Sequence, residues 1–365
     1  MARKTVVVGL SGGVDSAAAA ALLKDAGHEV IGATMTTWDG RALGAEGLGR
    51  GCYGPGQAES VRAAARVAAA LGIPFHAVDL AREFGEEVLA PCAGDYLRGV
   101  TPNPCLRCNR RVKFAHLPAA LAARGIASEC FATGHYAIVD RARAGGRHLL
   151  LRGRDRAKEQ SYFLAMLTQE QLGRALFPLG ERAKADARAL VAARGLPAAG
   201  RAESQDFIAG GYRAIFGGAA APGPILDENG RSIGMHRGIQ YYTIGQRRGL
   251  GIAHRAPLYV TGIDRAANAL IVGPEEKLYA DELEADEFNW IAVEGLAAPM
   301  RVQARIRYRH EGAPATAAPA PGGAVVVKFD APQRAITPGQ AVVLYDGEVV
   351  VGGGIIRPRE RAGGA

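Results

Sequence analysis

The chain has 365 residues, which is long for one domain and indicates two or three. Apolar residues make up 48% and charged residues 22%, a composition typical of globular proteins with a substantial core. The formal charge of +8 suits a polyanionic partner, and five cysteines are too few for a disulfide scaffold. Because no apolar run approaches the roughly 18 residues of a membrane span and the basic start lacks a signal's apolar core, we expect a cytoplasmic protein.

The first two-thirds of the chain alternates apolar runs with helical patterns. The predicted strands are residues 4–10, 28–35, 74–80 and 127–133, and the predicted helices are 15–27, 56–71, 112–124 and two more within 168–196. This order predicts an α/β fold with a doubly wound parallel sheet, in which ligands bind at the carboxyl ends of the strands. The glycine-rich residues 39–56 carry no period and are predicted to form a mobile loop near that edge.

Beyond about residue 205 the pattern changes to short apolar runs separated by Gly, Pro and Asp. Such runs are typical of small β domains. We therefore divide the chain into a catalytic domain (1–207), a small central β-rich domain (208–281) and a C-terminal β-barrel-like domain (282–365). Within the last domain, residues 311–323 (EGAPATAAPAPGG) are predicted to form a flexible loop.

A glycine-rich turn follows the first predicted strand and opens the first helix. It reads Gly9-Leu10-Ser11-Gly12-Gly13-Val14-Asp15-Ser16. Gly12 and Gly13 permit a tight turn of exposed N–H groups, and the helix N-terminus adds partial positive charge, so the segment suits phosphate. Asp15 fits an anion site only if it holds Mg²⁺ or orients the loop. No Gly-Lys-Ser/Thr follows, so the turn resembles the pyrophosphate loop of enzymes that cleave ATP between its α and β phosphates.

A second constellation lies at residues 101–114 (TPNPCLRCNRRVKF). Cys105 and Cys108 are three apart, so a helical turn puts both on one side. Four basic residues surround them, and that field is expected to lower a thiol pKa and favour thiolate; they are Arg107, Arg110, Arg111 and Lys113. The pair could carry sulfur, form half of a metal site or be structural. Sulfur transfer is favoured because no second cysteine or histidine pair follows.

Together these segments resemble the bacterial tRNA-specific 2-thiouridylase family over most of the chain. The resemblance is carried by SGGVDS (11–16), TPNPCLRCN (101–109), ATGHY (132–136), KEQSYFL (158–164), FPLG (177–180), ESQDF (203–207), YYTIGQRRGLGI (241–252), LYVTGID (258–264), NWI (289–291), RIRYR (305–309) and TPGQAVV (337–343). It implies an adenine nucleotide α-hydrolase-like sheet, and ATP with Mg²⁺ as the nucleotide and its metal.

The resemblance also implies a reaction. ATP adenylates O2 of the wobble uridine of tRNA, pyrophosphate leaves, and a cysteine persulfide loaded by a donor protein of a sulfur relay transfers sulfur to C2 as AMP leaves. By motif position Cys108 carries the persulfide. The nucleotide positions are Gly9 to Ser16, Met35 and Gly134, and the tRNA-contact positions are His135, Lys158, Glu159, Gln160, Arg307, Tyr308 and Gln340. Arg305, Arg307 and Arg309 alternate as on one face of a strand.

One departure concerns the second catalytic cysteine, which the family usually carries just after the Ser-Gln-Asp segment. Here residues 204–211 read SQDFIAGG and contain no cysteine. Cys105 could take its place, or Cys105 and Cys108 could hold an iron–sulfur cluster with Cys52 as the third ligand. Cys92 and Cys130 lie in a helical and a strand-like pattern and are predicted to be core residues.

Two other functions remain compatible with parts of the sequence. Another adenylating enzyme, such as an amide-forming ligase, would use the same phosphate loop but needs no Cys-x-x-Cys in a basic setting. A tRNA-binding protein that had lost catalysis would not be expected to keep the loop glycines.

Overall fold

The computed structural model describes residues 2–40, 51–141, 146–200, 206–208, 216 and 220–358. Most of the predicted glycine-rich loop, and residues 204–205 and 209–211, lie outside this range. The chain forms two compact units: one comprises Met1–Leu89, Pro104–Ala214 and Glu348–Val350, and the other Ala90–Asn103, Ile215–Gly347 and Val351–Ala365. In the described residues, no helix combines the length and apolarity needed to cross a bilayer.

The strands up to residue 208 are short and belong to the first unit. They are β1 (Thr5–Gly9), β2 (Glu29–Thr36), β3 (Gly51–Tyr53), β4 (Phe75–Asp79), β5 (Cys130–Ala132), β6 (Ala137–Asp140), β7 (Leu149–Arg152), β8 (Ala175–Leu176) and β9 (Asp206–Ile208). The helices are α1 (Val14–Asp25), α2 (Gln57–Leu71), α3 (Ala81–Phe84), α4 (Ala90–Leu97, second unit), α5 (Pro104–Arg107), α6 (Leu117–Ala122), α7 (Ser161–Leu164), α8 (Gln169–Arg174) and α9 (Lys184–Ala193). Gly85–Leu89 and Cys108–His116 are π-helical.

The main sheet of the first unit has five strands in the described residues, in the order β4-β2-β1-β5-β8. Every pairing is parallel. The central strand β1 is buried on both faces, and Val6, Val7 and Val8 are at most 1% exposed. Residues 17–21 of α1 are all alanine and fully buried, so the helix backbone lies close to the sheet. The predicted α/β fold class is therefore confirmed.

The second unit is built mainly from antiparallel sheets. One has the order β11-β10-β13-β12, from Gly223–Leu226 (β10), Ser232–His236 (β11), Tyr259–Asp264 (β12) and Ala269–Gly273 (β13). The other strands are β14 (Tyr279–Trp290), β15 (Met300–Arg305), β16 (Ala313–Pro319), β17 (Val325–Arg334), β18 (Ala341–Asp346) and β19 (Val349–Ile356). They follow the order β14-β17-β16-β15-β18-β19, and β14 pairs with β19, which closes a barrel. The division into three domains at 208 and 282 stays a prediction.

The expected flexible loop at residues 311–323 is wrong. Its centre is strand β16, which pairs with β15 on one side and β17 on the other. Ala315 and Ala317 are fully buried, so every second side chain contributes to the barrel core. Alanine and proline are weak strand formers, so the composition of residues 311–323 is typical of a loop. Hydrogen bonds to the two neighbouring strands nevertheless hold residues 313–319 in a strand.

Candidate active site

The predicted phosphate loop lies between β1 and α1 and is closed by the side chain of Ser16. Ser16 Oγ donates to the carbonyl of Gly13 at 3.0 Å and accepts from the backbone N–H of Ser11 at 3.2 Å. Gly12 has φ of +75°, a left-handed conformation that favours glycine. The turn therefore delivers the start of α1, with the partial positive charge of a helix N-terminus, to the carboxyl edge of the sheet.

Two other predicted nucleotide residues lie at the same edge. A Cβ atom on Gly134 would come within 2.7 Å of the Asp15 carbonyl carbon and 2.8 Å of the Ser16 nitrogen, so only glycine permits this approach. Met35 is half-buried near the end of β2, two residues beyond the register partner of Gly9. The structure thus brings the predicted nucleotide positions together, and their role in binding stays a prediction.

The carboxylate of Asp15 accepts hydrogen bonds from two other side chains of the protein. Both of its carboxylate oxygens accept hydrogen bonds from Lys184 Nζ at 2.7 Å, and one also accepts from the Tyr136 hydroxyl at 2.8 Å. Lys184 and Tyr136 are buried. Of the two predicted roles of Asp15, orienting the loop fits this arrangement. The role of Asp15 as a Mg²⁺ ligand stays a prediction, because its carboxylate has further lone pairs and the side chain is 33% exposed.

Cys108 opens the π-helical stretch directly after α5 and is buried. Burial raises the pKa of its thiol to about 11, although Lys113 acts in the opposite direction. The expectation that the basic segment favours thiolate is therefore wrong for Cys108. Desolvation disfavours the thiolate, the charged form of Cys108. The Arg111 side chain, by contrast, is 58% exposed, so water screens its charge.

Lys113 lies in the π-helical stretch Cys108–His116, here called the thiol helix, and its charge acts on His135 in the loop after β5. Its ammonium donates to Asn109 Oδ1 at 2.9 Å, and the Asn109 amide donates to the Phe163 carbonyl at 2.9 Å. Burial and the Lys113 charge hold the pKa of His135 well below its ordinary value, so the imidazole is neutral. A neutral His135 can exchange hydrogen bonds with RNA but offers no charge to a phosphate.

Aromatic contacts complete the connection between the thiol helix and this loop. The Phe114 ring packs edge-on against Phe131 of β5 and Phe177, with ring centroids 5.2 and 6.0 Å apart. His135 lies edge-on to Phe177 at 6.0 Å, and its Nδ1 is 2.7 Å from Thr133 Oγ1. Because His135 directly follows Gly134, which packs on the phosphate loop, these contacts connect the thiol helix with that loop within the first unit.

Cys52 is an exposed thiol on β3. Its carbonyl accepts from Thr37 Oγ1 at 2.9 Å and Gln57 Nε2 at 3.0 Å, which ties β3 to the end of β2. The parallel partner of β3 is β9, with Gly51 opposite Asp206. Cys52 also lies close enough to Cys108 to raise the pKa of that thiol.

The remaining cysteines and the metal alternative can be assessed from burial and grouping. Cys92 and Cys130 are buried, which confirms them as core residues. Cys105 is intermediate in exposure. Over the part of the chain that the structure describes, no three His, Cys, Asp or Glu side chains are arranged to hold a metal ion. The cysteines as placed therefore do not fit an iron–sulfur cluster.

The predicted tRNA contacts at residues 158–160 have different environments. Lys158 is partly exposed, whereas Glu159 is 2% exposed and accepts a hydrogen bond from the Ser161 backbone. Gln160 is bound to Tyr136 by two hydrogen bonds, one to its N–H and one to its carbonyl. The segment is thus anchored beside Asp15 through Tyr136.

In the second unit, the three alternating arginines do not share a strand face. Strand β15 ends at Arg305, which is buried and donates to the His310 carbonyl at 2.8 Å. A turn follows, in which Arg307 and Tyr308 are half-buried and Arg307 donates to the Arg334 carbonyl at 3.0 Å. Local hydrogen bonding inside the turn overrides the alternation. Contact of Arg307 and Tyr308 with tRNA stays a prediction.

Gln340 is another of the predicted tRNA-contact positions. Its side-chain nitrogen donates to the carbonyls of Thr101 and Pro102, at 3.0 and 3.3 Å. The Gln340 side chain therefore holds the backbone of residues 101 and 102, and its contact with tRNA stays a prediction.

Sequence reasoning did not assign a role to Lys184 or Tyr136. Tyr136 lies inside the quoted ATGHY motif and therefore had a local signal. Lys184 is 169 residues from its partner Asp15, and no local pattern connects them.

Comparisons with known proteins cover nearly the whole chain. A family model described as "tRNA methyl transferase HUP domain" matches residues 4–209. Models described as "tRNA methyl transferase PRC-barrel domain" and "Aminomethyltransferase beta-barrel domain" match residues 217–274 and 280–356.

Similar proteins include two named tRNA-specific 2-thiouridylase MnmA. That of Roseiflexus sp. (strain RS-1) is 46% identical over 375 residues, covering 96% of this chain and 98% of the relative. That of Moorella thermoacetica is 48% identical over 357 residues, with coverage of 96% and 98%. Among solved structures, the U34-tRNA thiolase NcsA from Methanococcus maripaludis with its 4Fe-4S cluster is 16% identical, with a TM-score of 0.32 and coverage of 53% of this chain and 57% of that one. A likeness of that size says nothing about a cofactor here.

Proposed function

Because the chain belongs to the tRNA-specific 2-thiouridylase family, we propose that its phosphate loop adenylates O2 of the wobble uridine and that Cys108 then delivers sulfur to C2. The chain is a tRNA sulfurtransferase that uses ATP. The observation that carries the proposal is the meeting of the phosphate loop and the thiol helix around Gly134 and His135. Both chemical steps thus have their groups at one edge of one sheet.

In the first step, uridine O2 attacks the α-phosphorus of ATP and the bond to pyrophosphate breaks. The turn at Gly12 and Gly13, together with the N-terminus of α1, holds the departing pyrophosphate. Mg²⁺ would accompany ATP and would neutralise part of the charge on its phosphates. No step depends on a metal ligand from the loop.

In the second step, a persulfide on Cys108, loaded by a persulfide donor protein, attacks C2 with its terminal sulfur. The C2–O bond breaks and AMP leaves, so Cys108 is joined to C2 through two sulfur atoms. A second thiolate then attacks Cys108 Sγ and releases 2-thiouridine, which leaves a disulfide between the two cysteines. An external dithiol reduces this disulfide before the next turnover.

Two cysteines can supply the second thiolate, and each has support. Cys105 lies in α5, three residues before Cys108, so one helical turn puts both cysteines on the same side. Cys52 is exposed, interacts electrostatically with Cys108, and lies on the strand paired with Asp206–Ile208. That paired segment is where the family usually carries its second cysteine. We retain Cys105 as the primary candidate, and Cys52 is the alternative.

The test separates the two chemical steps. Cys108→Ser is expected to retain tRNA-dependent pyrophosphate release and to lose 2-thiouridine formation, because adenylation uses the phosphate loop and not the thiol. Cys130→Ala, which removes a buried thiol from β5, is the control and should retain both activities. Thiolation by Cys108→Ser, or pyrophosphate release that needs no tRNA, would contradict the proposal, and the latter result would favour an amide-forming ligase.

A further inference from the structure

The phosphate loop contains a carboxylate where an anion is expected to bind. Asp15 lies in the first turn of α1, and its side chain is 33% exposed. The Lys184 side chain, only 8% exposed, binds both carboxylate oxygens at 2.7 Å. The charge of Asp15 is therefore cancelled by a residue from a distant helix.

Helix α9 holds this lysine at a fixed position. The Lys184 backbone N–H donates to Asp155 Oδ2 at 2.9 Å, and the helix start is capped by Asp186, which accepts from the Ala183 backbone at 3.0 Å. Ala187 and Val191 pack α9 into the same core as α1. The ammonium is thus presented from a rigid helix start and not from a mobile surface side chain.

Tyr136 fixes the carboxylate from a second direction. Its hydroxyl donates to Asp15 at 2.8 Å, and its own backbone is held at both ends by Gln160. A carboxylate held by both groups cannot rotate toward the anion-binding turn without breaking several hydrogen bonds. An unpaired carboxylate at the same place would repel a triphosphate, and the loss would be large because the pair is partly buried.

We propose that Lys184 is a positioning residue of the phosphate loop, which makes the loop receptive to ATP by neutralising Asp15 and holding its carboxylate away from the phosphates. The inference rests on the proposed role of Gly9 to Ser16 as the nucleotide loop. Lys184 acts through Asp15 and need not touch ATP. Its removal should therefore harm ATP binding more than the later sulfur transfer.

The test is a charge cycle on the full chain, using the affinity for ATP and the KM for ATP in tRNA-dependent pyrophosphate release. Lys184→Met keeps the stem but leaves Asp15 unpaired, and we expect both constants to weaken at least about tenfold. Asp15→Asn combined with Lys184→Met removes both charges and should recover most of that loss. Arg188→Met removes an exposed cation from the same helix and should change neither constant.

The outcomes distinguish this inference from the proposed function. If the unmodified protein binds no ATP, the assignment of Gly9 to Ser16 as the nucleotide-binding loop is wrong. If it binds ATP and Lys184→Met binds equally well, or if Asp15→Asn brings no recovery, the role of Lys184 is overturned. Should Lys184→Met fail to fold, Lys184→Gln and the double variant provide the same comparison, with thermal melting as the check on folding.

Discussion

Gly134 lies directly against Asp15, so that a single methyl group on Gly134 would come within 2.7 Å of the Asp15 carbonyl carbon and 2.9 Å of its Cβ. The obstacle is backbone and cannot rotate away as a flexible side chain would. Gly134→Ala is therefore expected to displace the start of α1 and to lower the affinity for ATP by at least about tenfold, with a loss of stability of about 1–3 kcal/mol. Equilibrium binding of ATP and thermal unfolding measure the two effects.

The matched control for this substitution is Gly85→Ala. Gly85 belongs to the first unit, and a Cβ there meets no atom within 4 Å. Its ATP affinity should equal that of the unmodified protein. Normal ATP binding by Gly134→Ala would mean that the loop tolerates a shift of its backbone, and that Gly134 does not shape the nucleotide site.

The second prediction concerns which cysteine follows Cys108 in the reaction. Cys105→Ser is expected to abolish 2-thiouridine formation while tRNA-dependent pyrophosphate release continues, because the persulfide adduct on Cys108 cannot then be resolved. Under this route Cys52→Ser retains activity. The measurement is 2-thiouridine content of tRNA, with iron content determined in parallel for Cys52→Ser, Cys105→Ser and Cys108→Ser.

The pattern of losses identifies the route. Loss of activity in Cys52→Ser with normal activity in Cys105→Ser would transfer the second role to the strand that pairs with Asp206–Ile208. Iron in the purified protein that disappears with any of the three substitutions would restore the cluster alternative. Full activity of both Cys52→Ser and Cys105→Ser would leave Cys108 acting without a second protein thiol.

The third prediction is the pH dependence of Cys108. Because burial raises the pKa of this thiol to about 11, its alkylation should be slow near neutral pH and accelerate about tenfold per pH unit up to that value. Lys113→Met should slow alkylation further at fixed pH, since the lysine charge favours the thiolate. Arg111→Met removes an exposed cation from the same helix and serves as the control.

The same pKa sets the sign of a stability effect. The folded-state pKa lies above the value of about 8.5 for an unfolded thiol. The contribution of the protonated Cys108 to stability is therefore fully present below about pH 8.5 and is lost as the pH rises toward about 11.

The reactivity of Cys108 is measured by peptide mapping after alkylation at several pH values, which separates Cys108 from the exposed Cys52. A Cys108 that alkylates as fast as Cys52 at pH 7 would contradict the buried, protonated thiol.

The fourth prediction concerns the turn after β15. Arg307→Ala is expected to weaken tRNA binding and to reduce the slope of log affinity against log salt by about one unit, as expected for the loss of one phosphate contact. ATP affinity without RNA should not change. The control is Arg301→Ala on the preceding strand β15, because Arg301 is paired with Asp330 at 2.7 Å. Equal salt slopes for Arg307→Ala and the unmodified protein would show that Arg307 only supports the turn through Arg334.

The sequence by itself determined the features that depend on neighbouring residues. Four strands of the main sheet, β1, β2, β4 and β5, follow from apolar runs, whereas β8 lies in a stretch predicted to be helical. The phosphate loop follows from Gly12 and Gly13 between a strand and a helix, since backbone freedom and helix polarity are local properties. The motif series determined the family. The position of Cys108 three residues after Cys105 likewise needed no structure.

Only the tertiary structure decided the features that depend on distant residues or on exclusion of water. The pKa of Cys108 rises because packing removes its solvent, which outweighs the basic residues visible beside it in the sequence. Residues 313–319 become a strand because β15 and β17 supply hydrogen bonds on both sides. Lys184 contacts Asp15 because α9 packs against α1. The two residues are 169 positions apart, so no local sequence pattern predicts the pair.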